Sequence, residues 1–363
     1  MARGGSLFPR LHWIFLAIGS LLGCSSQSPG LVFLDAREKS AAVTLAADGD
    51  CDGYWIIPYS TQVPRRGSGV FVADRNRNAS LRDRMSARLS AEGARRIQTQ
   101  DRLRALASRP ATASLSYRAL GDSDPDRIEI HSPFSSDGSA TIQGVRKASN
   151  DDANVYVDSR YADQMTASSA REILRRFSMI SLPRLRSLFG DPTDIDGNRR
   201  VDLFFSSEDK IGSGVVGFFR PADLLPGQSD GNEREIVYVQ LPDPALPTEF
   251  YDATVAHETF HLIHFGEKTL RLLWASRGRA YIEEEVFLSE GLAHLAEELT
   301  GFGLCSVIIA QDYLRCVDRT SLAGSGVRDA TPCSTVFEDD SLARRGGDML
   351  LLLRLGQIGR AHV

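Results

Sequence analysis

Residues 255–265 read VAHETFHLIHF, which puts three of the chain's seven histidines and a glutamate inside an otherwise apolar run. A polar group buried without a partner costs on the order of 1–3 kcal/mol. Any fold that buries this segment must therefore gather partners around it. His257 and His261 stand four residues apart, so on a helix both rings project from one face and can reach a single ion at a bond length of about 2.0–2.1 Å. Glu258, one residue round from His257, can accept a proton from water held by that ion. The segment reads as a helix with Asp252 as N-cap and Gly266 as its stop. With this chain's histidine and glutamate content, H-E-x-x-H arises by chance about once in 100 such sequences. The pattern is therefore read as a metal site rather than as core histidines satisfied by hydrogen bonds.

A catalytic zinc keeps three protein ligands and an open position, so one ligand must come from elsewhere. His264 lies on the same face, but seven residues from His257 is a rise of about 10.5 Å, too far for three rings to converge on one ion. It is read as a packing residue or as a support to the ligands. The longer pattern H-E-x-x-H-x-x-G-x-x-H also fails, with His264 at its glycine and Glu267 at its last histidine. In FLSEGLAHLAEEL, residues 287–299, Glu290, His294 and Glu297 share one helical face and offer candidates.

H-E-x-x-H followed by E-G on a second helix resembles the gluzincins. The ordered set DPTDIDGNRRVDLFFS, GVVGFFRPADLLPG, NEREIVYVQLP, TVAHETFHLIHF and LSEGLAHLAEELTGFG, across residues 150–355, is similar to hyicolysin-like bacterial metallopeptidases. The resemblance implies a zincin-like catalytic domain, one zinc bound by His257, His261 and Glu290, Glu258 as general base, and protein or peptide substrates. It departs from thermolysin-like members in one respect: His294 stands where they place an aspartate that orients a histidine ligand, so Glu297 or Glu298 is expected to supply that carboxylate. The donor that steadies the transition-state oxyanion stays open among Tyr251, Tyr281, His294 and Tyr313. The rival function is a surface protein that keeps the fold for binding or scaffolding without turnover; the presence of Glu258 favours the enzyme. Hydrolysis of a non-peptide substrate is set aside only by the resemblance.

The chain has 363 residues, 42% hydrophobic and 25% charged, with a net charge of −5. That composition suits a globular protein and gives nucleic acid no basic footprint. Arg3 and Arg10 precede an apolar run, Leu11–Leu22, that is too short for a membrane span and reads as an export signal. Leu21-Leu22-Gly23-Cys24 resembles the lipobox of bacterial lipoproteins, which implies cleavage after residue 23, a lipid on Cys24 and a membrane anchor. Ser25 then favours the outer membrane or cell surface. Cys51, Cys305, Cys316 and Cys333 remain, an even count suited to two disulfides, with Cys305 expected to pair with Cys316 or Cys333. The closing QIGRAHV matches a frame of a common sequencing adapter, so 358–363 is read as a non-native tail, His362 is given no role, and the domain is expected to be truncated at its C-terminus.

The expected organisation is α+β. A signal (1–23) and a short polar tether (24–30) lead into a β-rich region with an Arg-rich helical connector (31–110), and the metallopeptidase domain follows (111–357). Within it, ASLSYRAL, RIEIHS, SATIQGV, NVYVDS, VDLFFS and EIVYVQL read as strands. Ile173 to Leu182 read as a helix ending at Pro183, and everything from Tyr251 to Leu355 as helices. Asp194, Asp196, Asn198 and Asp202 follow a calcium-loop spacing, but Arg199 replaces the required glycine and Phe205 the required glutamate. An Asx-rich turn is the favoured reading there, with bound calcium as the alternative.

Overall fold

The computed structural model describes the backbone of 12–19, 31–35, 54–60, 328–329, 339–340 and 357–361, and both backbone and side chains of 103, 125–131, 141–207, 216–244, 248–276, 280–281, 285–317, 320, 322 and 341–356. The chain divides into two compact units, Met1–Phe71 and Val72–Val363. In the first, β1 (His12–Gly19) pairs antiparallel with β2 (Leu31–Asp35) on one side and β3 (Tyr54–Ser60) on the other. The rest of the expected β-rich region lies outside the described residues, as does ASLSYRAL. So does the Arg-rich connector except for Leu103, which is helical and buried.

The second unit is α+β around a six-stranded mixed sheet. Its strands are β4 (Arg127–His131), β5 (Thr141–Ser149), β6 (Ala153–Asp158), β7 (Val201–Ser206), β8 (Gly217–Phe219) and β9 (Ile236–Gln240), in spatial order β4-β5-β6-β7-β9-β8. β6, β7 and β9 run parallel, and β8 closes the sheet antiparallel to β9. Every residue of β6, β7 and β9 is buried, which accounts for their mainly apolar sequences, as expected when both faces of a parallel sheet are covered. The side chains sort by alternation. Val155, Val157, Leu203, Phe205, Val237 and Val239 join the main core with the helices. Tyr156, Phe204, Ile236 and Tyr238 face the other way, against Ile128, Ile130, Ile142 and Phe218.

The helices depart from the sequence reading at their ends. α1 (Ala167–Arg176) does not stop before Pro183; it passes through a π turn (Phe177–Ser181) into α2 (Leu182–Phe189). Pro183 sits in the first turn of α2, where its missing N–H matters little. α3 (Thr248–His264) begins four residues before Asp252, whose buried carboxylate serves instead as the partner of Arg176 Nε at 2.9 Å. Gly266 is no stop either: a π turn (Phe265–Leu270) carries the chain into α4 (Arg271–Ala275). A glycine costs a helix about 1 kcal/mol against alanine, and burial of Thr269, Leu270 and Leu273 just beyond it offsets that.

α5 (Val286–Thr300), α6 (Leu304–Arg315) and α7 (Leu342–Ala361) complete the helical part. The expected all-helical stretch is interrupted by a two-residue parallel pair, β10 (Arg328–Asp329) with β11 (Asp339–Asp340). Cys305 keeps its thiol, buried in the first turn of α6. Cys316 is disulfide-bonded, to a cysteine outside the described residues. The expected bonds from Cys305 to Cys316 or Cys333 are therefore not formed. Cys305 and Cys316 stand at opposite ends of one helix, about 16 Å apart by helical rise, far beyond the reach of a disulfide. No helix of the described residues is long and apolar enough to cross a membrane.

Candidate metal centre

α3 follows β9 and runs buried on nearly all sides from Phe250 to Ile263. α5 packs across it, and small residues set the approach: Phe260 and Ile263 of α3 meet Ala293 and Ala296 of α5, with Leu185 of α2 closing the cluster. That contact turns Glu290, His294 and Glu297 toward His257 and His261. His264 is turned away, its ring stacked on Phe260 at a centroid distance of 5.1 Å. It belongs to neither group of potential ligands, in keeping with the helical rise.

His257 Nε2 and His261 Nε2 lie 3.0 Å apart, and Glu290 Oε2 lies 3.4 Å from the first and 3.6 Å from the second. Tetrahedral zinc with bonds of about 2.05 Å separates its ligand atoms by about 3.3 Å. The three atoms already have that spacing, and two imidazoles with one carboxylate are a donor set that zinc accepts. Behind His257, Glu297 Oε1 lies 2.6 Å from Nδ1 and also 2.9 Å from His294 Nδ1. An ionised carboxylate only accepts, so His257 Nδ1 carries the proton and Nε2 presents its lone pair toward Glu290 and His261. Ser289 Oγ lies 3.3 Å from His261 Nδ1, where its hydroxyl can accept from the ring or donate to it.

Of the two carboxylates considered for orienting a ligand, Glu297 is the one in contact with His257. Glu298 does not join either potential ligand group; burial, then the charges of Glu297 and Glu249, push its pKa up. His294 touches Glu297 on the Nδ1 side of His257, away from Nε2. Tyr251 accepts a hydrogen bond from the Asp243 N–H at 2.7 Å, and Tyr281 packs against the main core.

Glu258, next to His257 in sequence, is 2% exposed, with Oε2 accepting from the Phe219 N–H at 2.9 Å. β8 can lie that close because Gly217 lacks a side chain: a Cβ there would fall 2.5 Å from Thr254 Cγ2, one turn before Glu258. Glu290 is equally enclosed, and burial alone would raise its pKa. The Arg345 guanidinium, then His261, outweigh burial and hold it well below the usual carboxylate range. Arg345 Nη1 donates to Glu290 Oε2 at 2.7 Å.

Sequence reasoning missed three participants: the Phe219 N–H, Ser289 and Arg345. Only Ser289 left a usable signal, being adjacent to Glu290. The calcium alternative gains no support. Among the described residues, the only groups with metal-ligand spacing are His257, His261 and Glu290, and His257, His294 and Glu297. Around residues 194–202 the side chains are spent otherwise. Asp194 caps the Arg199 N–H, Asp196 the Asn198 N–H and Asn198 the Arg200 N–H. Arg234 bonds Asp202 at 2.6 Å and stands 3.8 Å from Asp196, a guanidinium in the place of a cation.

No family model matches the chain. Comparison with known proteins finds similarity to the neutral metalloprotease ShpI of Staphylococcus hyicus, 26% identical over 169 residues. The match covers 42% of this chain and 37% of that protein, so the shared part is little more than a third of the relative's length.

Proposed function

We propose that this chain is a metal-dependent peptidase, and more closely a zinc peptidase of gluzincin type, with His257, His261 and Glu290 as ligands and Glu258 as general base. The observation that carries the reading is the triangle of two Nε2 atoms and Oε2 with sides of 3.0, 3.4 and 3.6 Å. The similarity to a neutral metalloprotease supports a metal-dependent peptidase in general. Zinc, when bound, supplies Lewis acidity that polarises a peptide carbonyl and makes water a better acid.

The chain's own groups do the rest. Glu258 takes the proton from the attacking water and delivers it to the departing amine. The Phe219 N–H, bonded to one of its oxygens, keeps the carboxylate aimed at the site. Glu297 fixes the tautomer of His257, and with Ser289 against His261 the tilt of both rings is held, so that little reorganisation is needed on binding. Glu258→Gln keeps the shape and the Phe219 contact but cannot accept the proton. Peptide hydrolysis is expected to fall by about 10²–10⁴-fold while zinc content is retained; undiminished turnover would remove Glu258 from the mechanism and favour a different base.

The export reading belongs to the same proposal. Leu21-Leu22-Gly23-Cys24 supports processing to a lipoprotein, and a disulfide at Cys316 suits an oxidising compartment. Expressed in a bacterial host, the chain is expected to take radiolabelled fatty acid at Cys24; equal labelling of Cys24→Ser would defeat that assignment.

A further inference from the structure

The pair formed by Arg345 and Glu290 joins two helices 55 residues apart in sequence, and both side chains are 3% exposed. The oxygen that accepts from Arg345 is the one facing both imidazoles. Its place is built. Glycine is a poor helix residue, yet Gly346 follows Arg345 directly, and a Cβ there would lie 2.0 Å from the Ile309 carbonyl oxygen of α6. On the other partner, a Cβ on Gly291, next to Glu290, would lie 3.0 Å from Asp348 Cβ of α7. Close backbone contact on both sides of the pair brings a long, charged side chain from the last helix to the floor of the candidate metal centre.

Three carboxylates, Glu258, Glu290 and Glu297, are enclosed there, each at 2% exposure or less. A buried charge left without compensation is strongly destabilising. We propose that Arg345 is the internal counter-ion of the metal centre: it compensates Glu290 before any metal is present, so that the ligand set folds into place metal-free and receives the ion preformed. This rests on the metal reading proposed above. It also assigns α7 a role in the site that a scaffold helix would not have.

The consequence is a specific coupling between Arg345 and the metal. Either cation can compensate Glu290, so removing Arg345 injures the metal-free protein more than the zinc-loaded one. The test is thermal unfolding of the full chain, stripped with chelator or supplied with zinc, for the parent, Arg345→Met and Arg345→Met with Glu290→Gln. Arg345→Met is expected to unfold at a lower temperature when metal-free and to recover with zinc, so that its zinc-induced shift exceeds the parent's by about 6 °C or more. The double variant, with no charge at position 290 to compensate, is expected to regain metal-free stability relative to Arg345→Met.

A zinc-induced shift in Arg345→Met no larger than the parent's overturns the proposal. So does a variant unfolded with and without zinc whose defect Glu290→Gln does not relieve. If zinc leaves the parent itself unmoved, the metal reading fails, and recovery of the double variant alone decides whether Arg345 is the counter-ion of Glu290.

Discussion

The assignment of three ligands turns on which side chains converge, and at that scale the candidates separate cleanly. His264 is the nearest histidine to the motif in sequence and stacks on Phe260; Glu290 is 33 residues from His257 and stands 3.4 Å from its Nε2. Glu290→Ala is therefore expected to lower zinc affinity by at least about tenfold in a chelator competition, whereas His264→Ala should change it by less than about threefold; the reverse order would overturn the ligand set. His257, Glu258 and His261 were legible because i, i+4 geometry is local. Arg345 was not, because nothing local distinguishes a buried arginine that meets a carboxylate on another helix from one on a solvated face.

The secondary-structure elements were legible where their pattern is strong and misread where tertiary contacts override local signals. NVYVDS, VDLFFS and EIVYVQL gave strands because two covered faces favour mainly apolar runs, and RIEIHS because its apolar residues alternate. Pro183, Asp252 and Gly266 misled because each is a boundary signal only when exposed at a helix end; here the helices continue and packing absorbs all three. β8 went unread as a strand because three residues are too few for a period-2 pattern, although it holds Glu258.

The join between the 191–200 loop and β9 also yields a pH effect. Glu235, 1% exposed, accepts from the Ile195 N–H at 2.7 Å, and burial, then the charge of Asp196, push its pKa well above 4.5. A carboxyl raised on folding binds more protons in the folded state, so it costs stability progressively as pH rises above 4.5 toward its folded value. Glu235→Gln keeps the acceptor for Ile195 and removes the charge. It is expected to match the parent near pH 4 and to be more stable at pH 8 in denaturant titrations; a variant less stable at pH 8 would contradict the assignment.

At the scale of the whole molecule, a mixed sheet covered by helices carries its chemistry on two crossing helices, α3 and α5, with β8 on one flank and α7 beneath. The architecture as α+β followed from the order of strands and helices, while the role of the last helix followed only from its packing. The most direct measurement is metal analysis of the purified, folded chain alongside its His261→Ala variant. About one zinc per parent chain and a large loss in the variant are expected. A folded parent that binds no zinc at micromolar concentrations, or a variant that holds as much as the parent, would contradict the metal reading.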